Sequence, residues 1–218
     1  MQHAAYLTKS HKKKGARSRV LFFQLKNQYI NIMIGNQHPW HDISPGENLP
    51  QIVTAVIEIP SGSHTKYEID KVSGLIRLDR ILFSSMYYPA NYGIIPQTYY
   101  IDGDPLDILV LCSESLVPLT LVKAKVIGIL EMTDEDKKDH KIIAVVDNDS
   151  SLTHVHDIED LPVYTINGIQ NFFEEYKKLE GKTVEVFGFK NKEEAFACIE
   201  ESLVMYIKEI KPKLKNNG

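Results

Sequence analysis

The run Asp102-Gly103-Asp104-Pro105-Leu106-Asp107, followed at once by Ile108-Leu109-Val110-Leu111, sets three carboxylates at the entry to an apolar strand. Gly103 lets the backbone turn tightly and Pro105 fixes its own φ, so the loop entering the strand reads as rigid. Carboxylates crowded at such a point repel one another unless a cation compensates, and a hard divalent metal is the natural counter-charge. An Asx-rich turn, its carboxylates bonded only to local amides, is the plainer alternative at this point.

Outward from this run the chain is rich in short strands. Gln51 to Ile59 is a β-branched run bounded by Pro50 and Pro60, with Glu58 its one charge. Lys66 to Asp70 and Leu75 to Arg80 alternate apolar with charged residues across a Lys-Val-Ser-Gly link, which predicts a hairpin. Ile108 to Cys112, Leu121 to Leu130, Lys141 to Val146 and Thr183 to Phe189 supply further strands. Helices come late. Ile169, Phe172, Phe173, Tyr176 and Leu179 fall at helical spacing within 167–179, and Ala195, Ile199, Leu203, Tyr206 and Ile207 repeat the pattern within 192–209. Short strands followed by two helices predict an α+β domain, a closed β-barrel with helices packed on it.

A second acidic run, Thr133-Asp134-Glu135-Asp136-Lys137-Lys138-Asp139-His140-Lys141, also leads into an apolar strand. A solvated hairpin tip would look the same. An EF-hand needs Gly at its sixth position and Glu at its twelfth. Counted from Asp102 these positions hold Asp107 and Ser113, and from Asp134 they hold Asp139 and Val145, so both registers fail. Oxygen ligands without His or Cys favour Mg²⁺, with Mn²⁺ as a substitute, and Mg²⁺ typically bridges carboxylates to substrate phosphates. The chemistry indicated is phosphoryl transfer. Cations for a phosphate stand beside strand-like segments at Lys66, Arg80 and Lys141, and Lys177 lies near a helix end. Taken singly, each also fits an exposed solubilising residue. Tyr87-Tyr88-Pro89-Ala90-Asn91-Tyr92-Gly93 brings three hydroxyls together around a turn signal, for which core packing is the other reading.

Of the 218 residues, 43% are hydrophobic and 25% charged, an ordinary globular composition. Two cysteines, Cys112 and Cys198, without CxxC spacing fit neither a disulfide scaffold nor a zinc site and suit a reducing, cytoplasm-like compartment. No apolar run is long enough to suggest a membrane span. Residues 1–41 carry seven basic residues and no acid, which leaves 18 Lys and Arg against 29 Asp and Glu in the remainder, a formal charge of −11. Residues 1–37 read as a flexible basic extension. An organellar transit segment, or untranslated sequence upstream of Met33, are the other readings of this stretch. The acidic body argues against the rival of a nucleic-acid-binding barrel, so no nucleic-acid or membrane partner is expected.

In their order along the chain these segments resemble the soluble family I inorganic pyrophosphatases. The hexapeptide 102–107 has the form of that family's signature, and around it stand Ile-Glu58-Ile-Pro, Lys66-Tyr-Glu68, Leu-Asp-Arg80 and Tyr88-Pro-Ala-Asn-Tyr92-Gly. The second acidic loop supplies Asp134, Glu135, Asp139 and Lys141, and Tyr176-Lys177 completes the pattern. His38-Pro39-Trp40-His41-Asp42 resembles the segment that precedes the barrel in some branches. The resemblance implies a five-stranded OB-like barrel, several Mg²⁺ ions per site and hydrolysis of pyrophosphate to two orthophosphates by a metal-activated water. It implies Asp104 as general base, and Asp102, Asp107, Asp134, Asp139, Glu58 and Glu68 as metal ligands with Glu135 behind them. It implies Lys66 and Tyr92 on the electrophilic phosphate, Arg80, Tyr176 and Lys177 on the departing one, and Lys141 and Tyr88 in support. A catalytic domain over 38–210, a basic tail over 211–218 and a homo-oligomer, hexamer or dimer, are further expectations. A metal-dependent phosphatase acting on nucleotides or organic phosphates is the alternative.

Overall fold

A computed structural model describes residues 37–215; the basic extension, Gln37 apart, and residues 216–218 lie outside the described residues. The strands are β1 (Ile52–Ile59), β2 (Thr65–Ile69), β3 (Ile76–Ile81), β4 (Asn91–Ile94), β5 (Asp107–Leu111), β6 (Leu121–Asp134), β7 (Lys137–Lys138), β8 (Lys141–Val146) and β9 (Val184–Lys190). The helices are α1 (Val163–Glu175), α2 (Lys192–Glu209) and the short α3 (Lys211–Lys215). β1 pairs with β4, β4 with β5, β5 with β8, β8 with β6, and β6 returns to β1. Five strands therefore close into the expected ring, which leaves no free edge among them. Only the β5–β8 pair is parallel. β9 extends β6 outside the ring, and β2 with β3 forms a separate hairpin.

The alternating faces of the ring strands explain their unbroken apolar runs. Ile108 and Val110 of β5 and Ile142 and Ala144 of β8 cluster with Ala195, Cys198 and Ile199 of α2. Leu109, Ile143 and Val145, one residue out of phase, cluster with Ile169, Phe172 and Phe173 of α1. Both faces are buried, so period two is visible in the packing and not in the residue types. Asn191 caps α2 by accepting from the amides of Glu193 (3.0 Å) and Glu194 (3.3 Å), which fixes the expected start at Lys192. Among the described residues no helix is long and apolar enough to cross a membrane.

Several local expectations need correction. The tyrosine-rich turn at 87–93 runs into a strand of the ring, since Asn91–Ile94 is buried throughout. Asn91 tolerates complete burial because its side chain accepts from Ser61 N (3.0 Å) and Leu116 N (2.8 Å) and donates to Glu114 O (3.1 Å). α1 begins four residues before the apolar pattern, because Val163 and Tyr164 face solvent, and it ends at Glu175. Lys178–Glu180 then forms a separate 3₁₀ turn closed by Gly181 at φ +71°. β6 runs on to Asp134, and Glu135 and Asp136 turn the chain with φ of +48° and +65°. Lys211–Lys215 is helical where a tail was expected.

Gly93 carries the closest approach in the ring: a Cβ there would lie 2.0 Å from Val56 O and 2.9 Å from Ile57 Cα. Gly93→Ala must force β4 off β1 and is expected to cost about 3 kcal/mol or more of unfolding free energy in urea titration. Retention of wild-type stability would contradict the closed β1–β4 pairing.

Candidate active site

One mouth of the ring gathers the ends of strands that arrive from distant parts of the chain. The parallel register sets Asp107, the first residue of β5, directly beside Lys141, the first residue of β8. Asp139 immediately precedes β8, Asp134 ends β6, and Asp102 and Asp104 lie in the loop that enters β5. Glu58 is the extra residue in a bulge of β1 between Ile57 and Ile59. That bulge turns its carboxylate toward β2, where it accepts from Ile69 N at 2.6 Å. The β2–β3 hairpin supplies Lys66 and Glu68, β4 supplies Tyr92, and the end of α1 supplies Tyr176 and Lys177. These groups line a cleft of about 650 Å³ together with Tyr88 and Glu135.

Every expected site residue reaches this cleft except Arg80. Its guanidinium is held at the side by Asp79 (2.6 Å) and Glu180 (2.9 Å). A bulge places Asp79 as an extra residue on β3 opposite the Lys66–Tyr67 step, and Asp79 is shared with Lys66 at 3.1 Å. Arg80 still lies within electrostatic reach of the cleft-lining Tyr88 and Tyr176.

The electrostatics are those of anions in excess of cations. Lys141 is 2% exposed and bridges Asp107 (2.5 Å) and Asp139. Burial alone would lower its pKa, yet the two carboxylates hold it raised. Burial raises Asp107; at Asp139 burial works the same way, but Lys141 with Lys177 and Lys66 together outweigh it and hold the carboxyl low. Burial, then the charges of Asp107 and Asp139, push Asp102 up to about 7. Burial pushes Glu58 up to about 8, against the Ile69 amide. Lys177 pairs with Asp134, Lys71 with Asp104 and Arg77 with Glu68.

The profile of the Pyrophosphatase family, inorganic pyrophosphatase, matches residues 55–207. The chain belongs to this family. It is 48% identical over 180 residues to soluble inorganic pyrophosphatase 2 of Chlamydomonas reinhardtii, covering 82% of this chain and 94% of that protein. The soluble inorganic pyrophosphatase of Oryza sativa subsp. indica is 47% identical over 169 residues, 78% of this chain and 79% of the relative. Among solved structures, the inorganic pyrophosphatase from Thermus thermophilus superposes with a TM-score of 0.74 at 41% identity, covering 78% of this chain and 98% of that one.

As a pyrophosphatase-family cleft, the pocket fits hard divalent cations by its donor chemistry. Its acids are all oxygen donors, and Asp134 Oδ1 is buried without a hydrogen-bond partner. Two carboxyls are held far above their ordinary range, the state that an added cation relieves. Among the described residues no three acids already form a cage, because Lys141, Lys177, Lys71 and Arg77 stand among them. The expected ligands are thus brought into one cleft with the chain's own cations as counter-charges.

Lys71, Arg77 and Lys137 also line the cleft and were missed from sequence. Lys71 sits in the Lys-Val-Ser-Gly link, read only as a turn, and Arg77 in an alternation that any exposed strand shares. The signal that could have found Lys71 and Arg77 is the short distance along the hairpin from Lys66 and Glu68, and for Lys137 it is its place inside the second acidic run, between Asp134 and Asp139.

Glu58 gives a pH test in the metal-free chain. Its folded pKa of about 8 exceeds the ordinary 4.5, so the folded state binds the extra proton between these values and loses stability as pH rises through that window. Glu58→Gln keeps an acceptor for Ile69 N and has no such loss. Its thermal stability is expected to gain on wild type between pH 5 and 8 and to level off above, with added divalent metal narrowing the gap. Parallel pH profiles would contradict the burial assigned to this carboxyl.

Proposed function

We propose that this cleft hydrolyses pyrophosphate to two orthophosphates with several Mg²⁺ ions, Mn²⁺ serving as a substitute. Asp102, Asp107 and Asp139 would hold the first ion, Asp107 and Asp134 with Asp139 would serve further ones, and Glu58 and Glu68 would hold an ion arriving with substrate. The chemistry these ions supply when bound is a water of pKa lowered toward 7 and counter-charge for the phosphate oxygens. The observation that carries the reading is the convergence of both acidic loops on one cleft whose burial leaves carboxyls short of counter-charge.

Within this reading Asp104, half-exposed and in the rigid entry loop, accepts the proton of the attacking water. Its partner Lys71 is itself 55% exposed on the side chain, so the pair costs little to open. Lys66 and Tyr92 bind the electrophilic phosphate. Arg80, Tyr176 and Lys177 offset the charge that grows on the departing one, where preplaced donors are worth roughly 3 kcal/mol each. Lys141 keeps Asp107 and Asp139 together, Tyr88 supports Tyr92 by packing edge-on against its ring, and Glu135 stands behind Asp134. We further read the enzyme as a cytoplasmic homo-oligomer with its catalytic domain over 38–210. Exposed Leu78, Ile81 and Phe83 along and beyond β3 support self-association.

Asp104→Asn preserves shape and removes the base. With Mg²⁺ and pyrophosphate its kcat is expected to fall by roughly 10² to 10⁴, while Mg²⁺ affinity measured by calorimetry stays near wild type. Near wild-type turnover would remove Asp104 from its role. In the same assay, faster phosphate release from ATP or a phosphomonoester than from pyrophosphate would support the broader phosphatase instead.

A further inference from the structure

Arg80 and Glu180 meet across a hundred residues of sequence. Glu180 is the last residue of the 3₁₀ turn that follows Tyr176-Lys177, and its side chain is 8% exposed. One carboxylate oxygen accepts from Arg80 Nε at 2.9 Å, while Asp79 accepts from Nη1 at 2.6 Å. The third nitrogen, Nη2, is buried and has no partner. A buried guanidinium donor left unpaired is costly, so such a donor awaits an acceptor. Burial works to lower the Arg80 pKa, and Glu180 together with Asp79 outweighs it and holds the pKa raised.

The clamp has a directional consequence. A guanidinium is a planar fork, and fixing Nε and Nη1 by two carboxylates also fixes where Nη2 points. Tyr88 and Tyr176, which line the cleft, both feel the charge of the Arg80 guanidinium, which stands beside the cleft wall they form. The anchor comes from the segment that also carries Lys177, so one turn sets two cations at once.

We propose that Glu180 is a positioning residue: it grips Arg80 through Nε so that Nη2 stays free and oriented as a donor to the orthophosphate that departs. This rests on the reading of Arg80 as a ligand of that phosphate. Glu180 touches no reacting atom.

The test follows pyrophosphate turnover, inhibition by inorganic phosphate and the Mg²⁺ concentration for half-maximal activity. The variants are Glu180→Ala, Glu180→Gln, Arg80→Ala and the double substitution Glu180→Ala with Arg80→Ala, with Leu179→Ala, 68% exposed, as the neighbouring control. Glu180→Ala is expected to weaken phosphate inhibition and kcat/KM about tenfold, the scale of one lost bond to a charged group, with the Mg²⁺ requirement unchanged. Glu180→Gln keeps an acceptor without the charge and is expected to weaken phosphate inhibition roughly three- to fivefold. It keeps the test decisive should the alanine variant not fold. In the Arg80→Ala background the Glu180 substitution adds nothing. Phosphate inhibition within twofold of wild type in both single Glu180 variants, beside a defective Arg80→Ala, overturns the positioning role alone. A Glu180 effect of equal size without Arg80 does the same. An Arg80→Ala enzyme of wild-type activity overturns the assignment of Arg80 and this proposal with it.

Discussion

The parallel pairing of β5 with β8 is the constraint on which the site depends. It sets Asp107 against Lys141 at the first rung of the ladder, on the face that packs toward α1. From there the loop before β5 brings Asp102 and Asp104, and the loop before β8 brings Asp139. A buried ammonium between two carboxylates is weak evidence for stability, since desolvation offsets most of the attraction. Here it marks the point where two acidic loops are forced together, and the closed ring holds them there.

That closure explains why the fold tolerates so much unpaired charge at one mouth. Two interleaved apolar layers lie below it, one with α1 and one with α2. Carboxyls held well above their ordinary range, such as Asp102 and Glu58, are a cost that the packing beneath must carry. The counter-charges are local and replaceable. Lys71 and Arg77 are more than half exposed and ride on the β2–β3 hairpin, whereas Lys141 is sealed in the ring.

Much of this was legible in the sequence because its signals are local. The hexapeptide at 102–107, the alternation of the hairpin and the apolar period of α2 each report a nearby backbone state. β4 was not legible: a four-residue strand containing Asn91 and Gly93 has turn composition, and only contact with Val56 and the amides of Ser61 and Leu116 makes it a strand. Glu180 was hidden for the same reason, since its partner lies a hundred residues away. The extension of β6 to Asp134 depends on pairing with β9, which a charged, turn-like sequence does not announce. Arg80 was legible as a cation on the predicted hairpin, whereas its restraint by two acids to the side of the cleft is a tertiary fact.

The most direct measurement is a crystal structure of the Mn²⁺-soaked protein, with ions located by anomalous scattering. The account predicts at least one ion bonded at once to a carboxylate of the 102–107 loop and to Asp139, at roughly 2.2 Å. Ions bonded to one acidic loop alone, or found only outside the cleft with Lys141 still bridging Asp107 and Asp139, would contradict it.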